Sequence, residues 1–180
     1  MNIRLANLED LKYIDSLSKK ESKSIGFIPK ARYEAAIVGR RLKEKEKPTC
    51  NDKLLICYEN DEPVGFLIAS NGKDVATKVA KVHQICIQED ARLIERGKAL
   101  LNYWIDFCSK IGIFDYSCGC AEDLDSNLFW KAMGWEHIDT RMGIFYGTSK
   151  QSSKRIVNIY RYETDTLFPS LEGYIPQKES

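Results

Sequence analysis

The stretch Ile87-Gln88-Glu89-Asp90-Ala91-Arg92-Leu93-Ile94-Glu95-Arg96-Gly97-Lys98-Ala99-Leu100-Leu101 sets a strand end, a polar basic loop and an amphipathic helix in succession. The first backbone N–H groups of a helix have no internal partner. With the helix dipole they make a site for an anion. Arg92, Arg96 and Lys98 cluster there and add charge-assisted contacts. A pyrophosphate is a natural occupant. Without a ligand, the same residues read as a strand–helix junction with three solvated bases.

Two other groups carry chemistry. His83 lies four residues before Ile87, and an imidazole with an unperturbed pKa of about 6.5 suits proton abstraction near neutrality. A packed, hydrogen-bonded core histidine is the other reading. Glu122, Asp123 and Asp125 form an acidic group after a strand; Asp125 also reads as a helix N-cap whose neighbours suit the helix dipole. His83 and His137 are the only histidines, and no C-x-x-C pair exists among the six cysteines. Metal chemistry and a thioredoxin-like role are therefore not expected. Cys57, Cys86 and Cys108 fall inside apolar patterns, as buried thiols do. Cys118 and Cys120 would share one face of a strand.

Elements must position these residues. Asn2 to Ala6 alternates as a short strand. Asn7 with Asp10 three residues later reads as a variant capping box, and Leu8, Leu11, Ile14 and Leu17 continue a helix to about Lys20. A second helix is expected from Arg32 to Lys45, its end a solvated Lys/Glu run. Lys53 to Tyr58 and Pro63 to Ala69 form a hairpin around Glu59-Asn60-Asp61-Glu62. Val79 to Gln88 is a strand with Val82, Gln84, Cys86 and Gln88 on one face and Lys81, His83, Ile85 and Ile87 on the other. Gly97 to Ile111 is the clearest helix, striped by Leu100, Leu101, Trp104, Ile105 and Cys108. Then follow a strand (113–120), a short helix from Ser126 to Met133 closed by Gly134, and two strands (135–146 and 155–162). Strands alternating with helices after a hairpin argue a mixed α/β sheet with helices on its faces. Residues 1–163 read as one domain, and 164–180, with Pro169, Gly173 and Pro176, as an irregular tail.

Composition limits the function. The chain has 180 residues, 43% hydrophobic and 29% charged, with 27 bases against 26 acids. A net charge of +1 offers no whole-molecule field for a polyanion. No apolar run approaches the ~20 residues that span a membrane, and the N-terminus, with Glu9 and Asp10, is not a signal peptide. A reduced, cytoplasmic protein is expected.

The segment from Ile87 to Leu101 resembles the acyl-CoA signature Q/R-x-x-G-x-G/A of the GNAT superfamily of N-acyltransferases. Arg92 matches the Q/R position and Gly97 the last G/A, while Glu95 replaces the middle glycine. Asn2 to Asp10 is similar to the family's opening strand and helix, Val64-Gly65-Phe66 to its V-G-F, and Asn127 to Trp135 to its late F-Y-x-x-x-G-F. Order and spacing agree over roughly Asn2 to Tyr162. The H-Q-I-C, A-E-D-L and F-W-x-x-x-G elements are shared with a set often carried by bacteria and phages.

The resemblance implies a GNAT-like, mostly antiparallel twisted sheet of about seven strands, with helices on both faces and a splay between strands four and five. It implies acetyl-CoA as cosubstrate, the pyrophosphate on the amides of Leu93 to Lys98 and the pantetheine arm along Ile85, Cys86 and Ile87. Asn127 joins the coenzyme-binding set. It implies direct attack of a primary amine on the thioester, in a small molecule or a peptide, with the N–H of Ile87 facing the thioester oxygen. His83 becomes the base, with Gln84 able only to orient a water. Glu122, Asp123 and Asp125 border the acceptor cleft and attract a cationic amine. The usual tyrosine acid is replaced by Trp130, whose indole cannot give up a proton at useful pH. Packing is its first role; the leaving thiolate is then protonated by water or by another tyrosine, with Tyr103, Tyr116 and Tyr146 as candidates. Two further readings remain open: a non-catalytic acyl-CoA sensor, and a phage-type base modifier using Lys150, Lys154 and Arg155. A monomer or homodimer, without membrane or nucleic-acid partner, is expected.

Overall fold

The computed structural model describes residues 1–39, 51–72, 78–91, 94–146 and 152–164. The second half of the expected second helix, Arg92, Leu93, Lys150 and the tail from 165 lie outside the described residues.

Strand β1 (Asn2–Leu5) passes through a 3-10 turn into α1 (Leu11–Lys20). The expected capping box forms: Asn7 Oδ1 accepts from the Glu9 and Asp10 amides, and the Asp10 carboxylate accepts from the Asn7 amide. Helix α2 (Ser22–Ile25) ends at Gly26, and α3 (Lys30–Val38) follows Pro29. Strands β2 (Asp52–Glu59) and β3 (Glu62–Ser70) join through Asn60 and Asp61, both at positive φ (50° and 65°). Two successive left-handed residues match the right-handed twist of a hairpin, which explains the tight turn. Strand β4 (Val79–Ile87), helix α4 (Ile94–Ser109), strand β5 (Asp115–Ala121), helix α5 (Ser126–Ala132) and strands β6 (Glu136–Tyr146) and β7 (Ser152–Glu163) complete the order.

The seven strands form one sheet in the order β1-β2-β3-β4-β5-β7-β6. Every neighbouring pair is antiparallel except β4 and β5, which are parallel. Leu100, Leu101 and Trp104 of α4 pack on one face with Leu55, Leu67, Val82 and Cys118. Ile14 and Leu17 of α1 and Tyr33 of α3 pack on the other with Leu54, Ile56, Phe66 and Cys86. The architecture is the GNAT-like α/β fold.

Three expectations need correction. Helix α4 starts at Ile94, three residues before Gly97, because nothing in Ile94-Glu95-Arg96 opposes helix and Glu95 suits the first turn. Strand β7 starts at Ser152, not Arg155. The faces of β4 are not continuous. Ile68 pairs with Gln84 but Ala69 pairs with Val82, so His83 is the extra residue of a bulge. Val82 therefore packs under α4, while Gln84 lies opposite Ile68 and Cys86 packs with the α1–α3 core.

Candidate active site

The bulge and the parallel pairing together open the sheet. β4 and β5 stay in register only from Val79↔Asp115 to Val82↔Cys118. Past the bulge they diverge, and a cleft of about 480 Å³ forms between His83–Ile87 and Gly119–Ala121. The Gln88 amide bonds to the Val64 carbonyl at 3.0 Å. Strand alternation then turns the Ile87 N–H the other way, toward the splay. Gly65 sits opposite Ile87, and a Cβ there would lie 2.5 Å from the Cys86 carbonyl oxygen. The glycine is thus what lets β3 back the end of β4 so closely.

A second cavity, about 440 Å³ and largely apolar, runs between α4 and α5 past Ile94, Gly97, Leu128 and Phe129. The two cavities share Ile85, Ile87 and Ser126. Gly97 is buried, and a Cβ on it would meet the Phe129 ring at 3.0 Å, so the glycine sets the approach of α5 to α4. An apolar cavity that reaches Ile94, at the positive end of a sixteen-residue helix, suits a long thioester with an anionic tail.

The basic residues do not act alike. The Arg96 guanidinium turns inward, bonding the Ala91 carbonyl at 2.7 Å and the Glu59 carboxylate. It ties the start of α4 to the β2–β3 turn. Its side-chain charge is engaged by Glu59, and its backbone N–H lies in the helix's first turn. Lys98 is exposed, and Glu95 points to solvent, so its charge does not fill the anion position. Asn127 is bonded within the protein. Its Nδ2 donates to the carbonyls of Ala121 (2.8 Å), Glu122 (3.1 Å) and Leu124 (2.7 Å). Its Oδ1 accepts from Asn158 (3.1 Å) and Tyr160 (2.9 Å). These bonds shape the β5–α5 turn and use its polar capacity inside the protein.

His83 lines the cleft. Its Nε2 lies 3.2 Å from Ser70 Oγ and 3.5 Å from Asp52 Oδ1. Arg32 of α3 donates to Asp52 Oδ2 at 2.7 Å. Burial lowers the His83 pKa from 6.5 against the opposing pull of Asp52, so the ring is neutral at pH 7. Burial disfavours the Asp52 carboxylate, but hydrogen bonds from His83 and Arg32 outweigh it and hold the group well below the usual range. Gln84 donates to the Ile25 and Gly26 carbonyls (3.1 and 2.9 Å) and accepts from Tyr33 (2.6 Å). It fixes the α2–α3 loop as a cleft wall.

Asp123 and Asp125 line the cleft but Glu122 does not, because it faces solvent beside β7. Arg155 pairs with Asp123 at 2.6 Å. Asp125 makes no side-chain cap to α5, contrary to expectation. Trp130 is buried on the cleft wall, 4.8 Å between ring centroids from Trp135. Tyr116 is ruled out as an acid at the cleft: its hydroxyl donates to the Ile113 carbonyl at 2.8 Å inside the core. Tyr103 projects to solvent from α4, and the Tyr146 side chain lies outside the described residues. Asp52 and Ser70 were not found from sequence as site residues, and Arg155 was read only as part of a basic loop; strand pairing across β2, β3 and β7 brings them in.

The chain matches the model of the acetyltransferase (GNAT) family over residues 17–135, more than half its length, and it belongs to that family. No curated protein matches it by sequence. Among solved structures it is similar to a ribosomal-protein-alanine N-acetyltransferase from Brucella melitensis, with 12% identity and a TM-score of 0.70 over 91% of this chain and 100% of the other. A probable acetyltransferase from Staphylococcus epidermidis gives 16% identity and 0.70 over 91% and 99%. Arabidopsis thaliana NAA60 in complex with acetyl-CoA gives 12% and 0.69 over 90% and 97%. At these identities the likeness is one of fold. Among the described residues, no helix is long and apolar enough to cross a membrane.

Proposed function

We propose that this acetyltransferase-family chain moves the acetyl group of acetyl-CoA to a primary amine by direct attack within a ternary complex. The observation that carries the reading is the meeting of an apolar channel and a polar cleft at Ile85, Ile87 and Ser126, where β4 leaves β5. When bound, acetyl-CoA supplies the activated acyl group. Its pantetheine arm would extend β4 along Ile85 to Ile87, a pairing in the manner of an added strand. The α4 amides from Ile94 to Lys98, with Arg92 and Leu93 ahead of them, would take the pyrophosphate.

The residues of the chain then divide the work. The Ile87 N–H, aimed into the splay, stabilises charge developing on the carbonyl oxygen. His83 takes the amine proton on Nδ1 while Asp52 and Ser70 face Nε2. Asp125, exposed on the cleft wall, draws in the cationic form of the amine, while Asp123 is engaged by Arg155 and Glu122 has no part. The acceptor is a small amine or a peptide amine. That structural neighbours include ribosomal-protein-alanine N-acetyltransferases supports the peptide option.

Thermal unfolding with and without acetyl-CoA tests this. At 100 times Kd a ligand adds about 2.7 kcal/mol, which at this size raises Tm by roughly 5–10 °C. No shift at millimolar acetyl-CoA would overturn the reading. Trp130 at the usual acid position favours one competitor, a non-catalytic acyl-CoA sensor. A Tm shift without single-turnover acetyl transfer to mixed amines and N-terminal peptides would select it.

A further inference from the structure

The reaction releases a thiolate, and the described residues offer no tyrosine to receive it. Neither cavity is lined by a tyrosine, and the indole of Trp130 keeps its proton. Of the three residues common to both cavities, Ile85, Ile87 and Ser126, only Ser126 carries a polar side chain. It stands on the α5 wall, across the splay from the Ile87 N–H. A carbonyl oxygen turned toward Ile87 leaves the sulfur, bonded to the same carbon, toward the opposite wall. Ser126 Oγ lies 3.1 Å from Cys120 Sγ, and the Cys120 thiol donates to the Ala121 carbonyl at 3.6 Å. Burial pushes the Cys120 pKa up, so the thiol keeps its proton, and that one proton is directed at Ala121. The serine hydroxyl rotates about its C–O bond, so its hydrogen can turn from the weakly accepting Cys120 sulfur to a thiolate, the stronger acceptor.

We infer that Ser126 donates the hydrogen bond that stabilises the departing sulfur, turning its hydroxyl away from Cys120 Sγ; this rests on the acetyl-CoA reading above. The amine nitrogen forms the C–N bond, the C–S bond breaks, and its electron pair leaves on sulfur. The amine proton passes to His83, and the thiolate is held by Ser126 until solvent protonates it. Ser126 keeps its own proton throughout.

The test needs no known acceptor. The thiol of bound CoA is titrated by the ultraviolet difference between complexes with CoA and with desulfo-CoA. A hydrogen bond to a charged group corresponds to about 1–2 pKa units. The bound thiol is expected to titrate that much lower in the wild type than in Ser126→Ala, with Ser126→Thr restoring the wild-type value. Ser126→Gly replaces the alanine variant if that one fails to fold. Equal titration in wild type and variant, with CoA bound to both, overturns the role of Ser126 alone. Failure of the wild type to bind CoA at millimolar concentration overturns the acetyl-CoA reading and this inference with it.

Discussion

The Asp52 carboxylate lies 3.5 Å from His83 Nε2, with Ser70 Oγ 3.2 Å from the same nitrogen. An acceptor facing Nε2 favours the tautomer protonated there and leaves the lone pair on Nδ1. The geometry depends on the bulge, because His83 is the residue that β3 leaves unpaired.

The pH profile should report this arrangement. Burial lowers the His83 pKa and Asp52 opposes that effect. Activity is therefore expected to rise through a limb below pH 6.5 and to be level above it, since the neutral ring is the active form. His83→Ala should reduce kcat by about 10²–10⁴-fold and abolish the limb. Asp52→Asn removes a group that favours the charged ring, so the limb should move to lower pH while kcat falls. A limb that stays in place in Asp52→Asn would sever the link between the two residues.

Gly65→Ala tests the backing of Ile87. The added Cβ would meet the Cys86 carbonyl oxygen and the Ile87 Cδ1, each at 2.5 Å. Backbone cannot yield as a side-chain tip can, so the strands must part. Overpacking of this kind costs about 1–3 kcal/mol, or a Tm lower by roughly 2–12 °C. kcat should fall further than stability alone explains, because the Ile87 N–H moves. Gly97→Ala meets only the Phe129 ring, at 3.0 Å. Its effect should appear in KM for acetyl-CoA, with a smaller change in Tm.

Much of this frame was legible in the chain. Asn7 and Asp10 announce a capping box because both partners lie within one turn, and Asn60-Asp61 announces a hairpin because few residues tolerate positive φ. The bulge at His83 was not legible, since it exists only as a mismatch between the registers of β3 and β4. For the same reason the inward turn of Arg96 was hidden: its partner Glu59 is 37 positions away in sequence. A basic residue near a helix start reads as a phosphate ligand until a distant acid claims it.

Acid stability should be governed in part by Asp10. Its carboxylate is buried and accepts from Arg4 (2.7 and 2.9 Å), from the Tyr58 hydroxyl (2.6 Å) and from the Asn7 amide (2.7 Å). Burial raises its pKa, but the bonds from Arg4, Tyr58 and Asn7 outweigh that and hold it below 3.8. A carboxylate depressed in the folded state binds fewer protons there than in the unfolded chain. Its stabilisation is thus complete above about pH 4–5 and is lost as pH falls through the folded pKa. Tm measured from pH 6 to pH 2 should drop steeply in the wild type. Asp10→Asn should start lower and fall less; a variant curve parallel to the wild type would remove Asp10 from the account.

Asn127 separates a structural role from a coenzyme contact. Its amide nitrogen faces three carbonyls, and Ala121 and Leu124, which supply two of them, line the cleft. Asn127→Asp puts an acceptor where a donor is needed, leaving buried carbonyls unsatisfied and an oxygen repelled by its neighbours. Each unsatisfied buried group costs about 1–3 kcal/mol, so a loss near 3 kcal/mol and a Tm lower by roughly 6–12 °C are expected. Asn127→Ala should be milder, because carbonyls left without a donor are not also repelled. A residue serving only to touch coenzyme would behave in the opposite way, with Tm unchanged in its absence and acetyl-CoA affinity sharply weakened. Melting both variants without ligand, then titrating acetyl-CoA below their Tm, distinguishes the two patterns. A stable Asn127→Asp with weakened acetyl-CoA binding would return the residue to the coenzyme site.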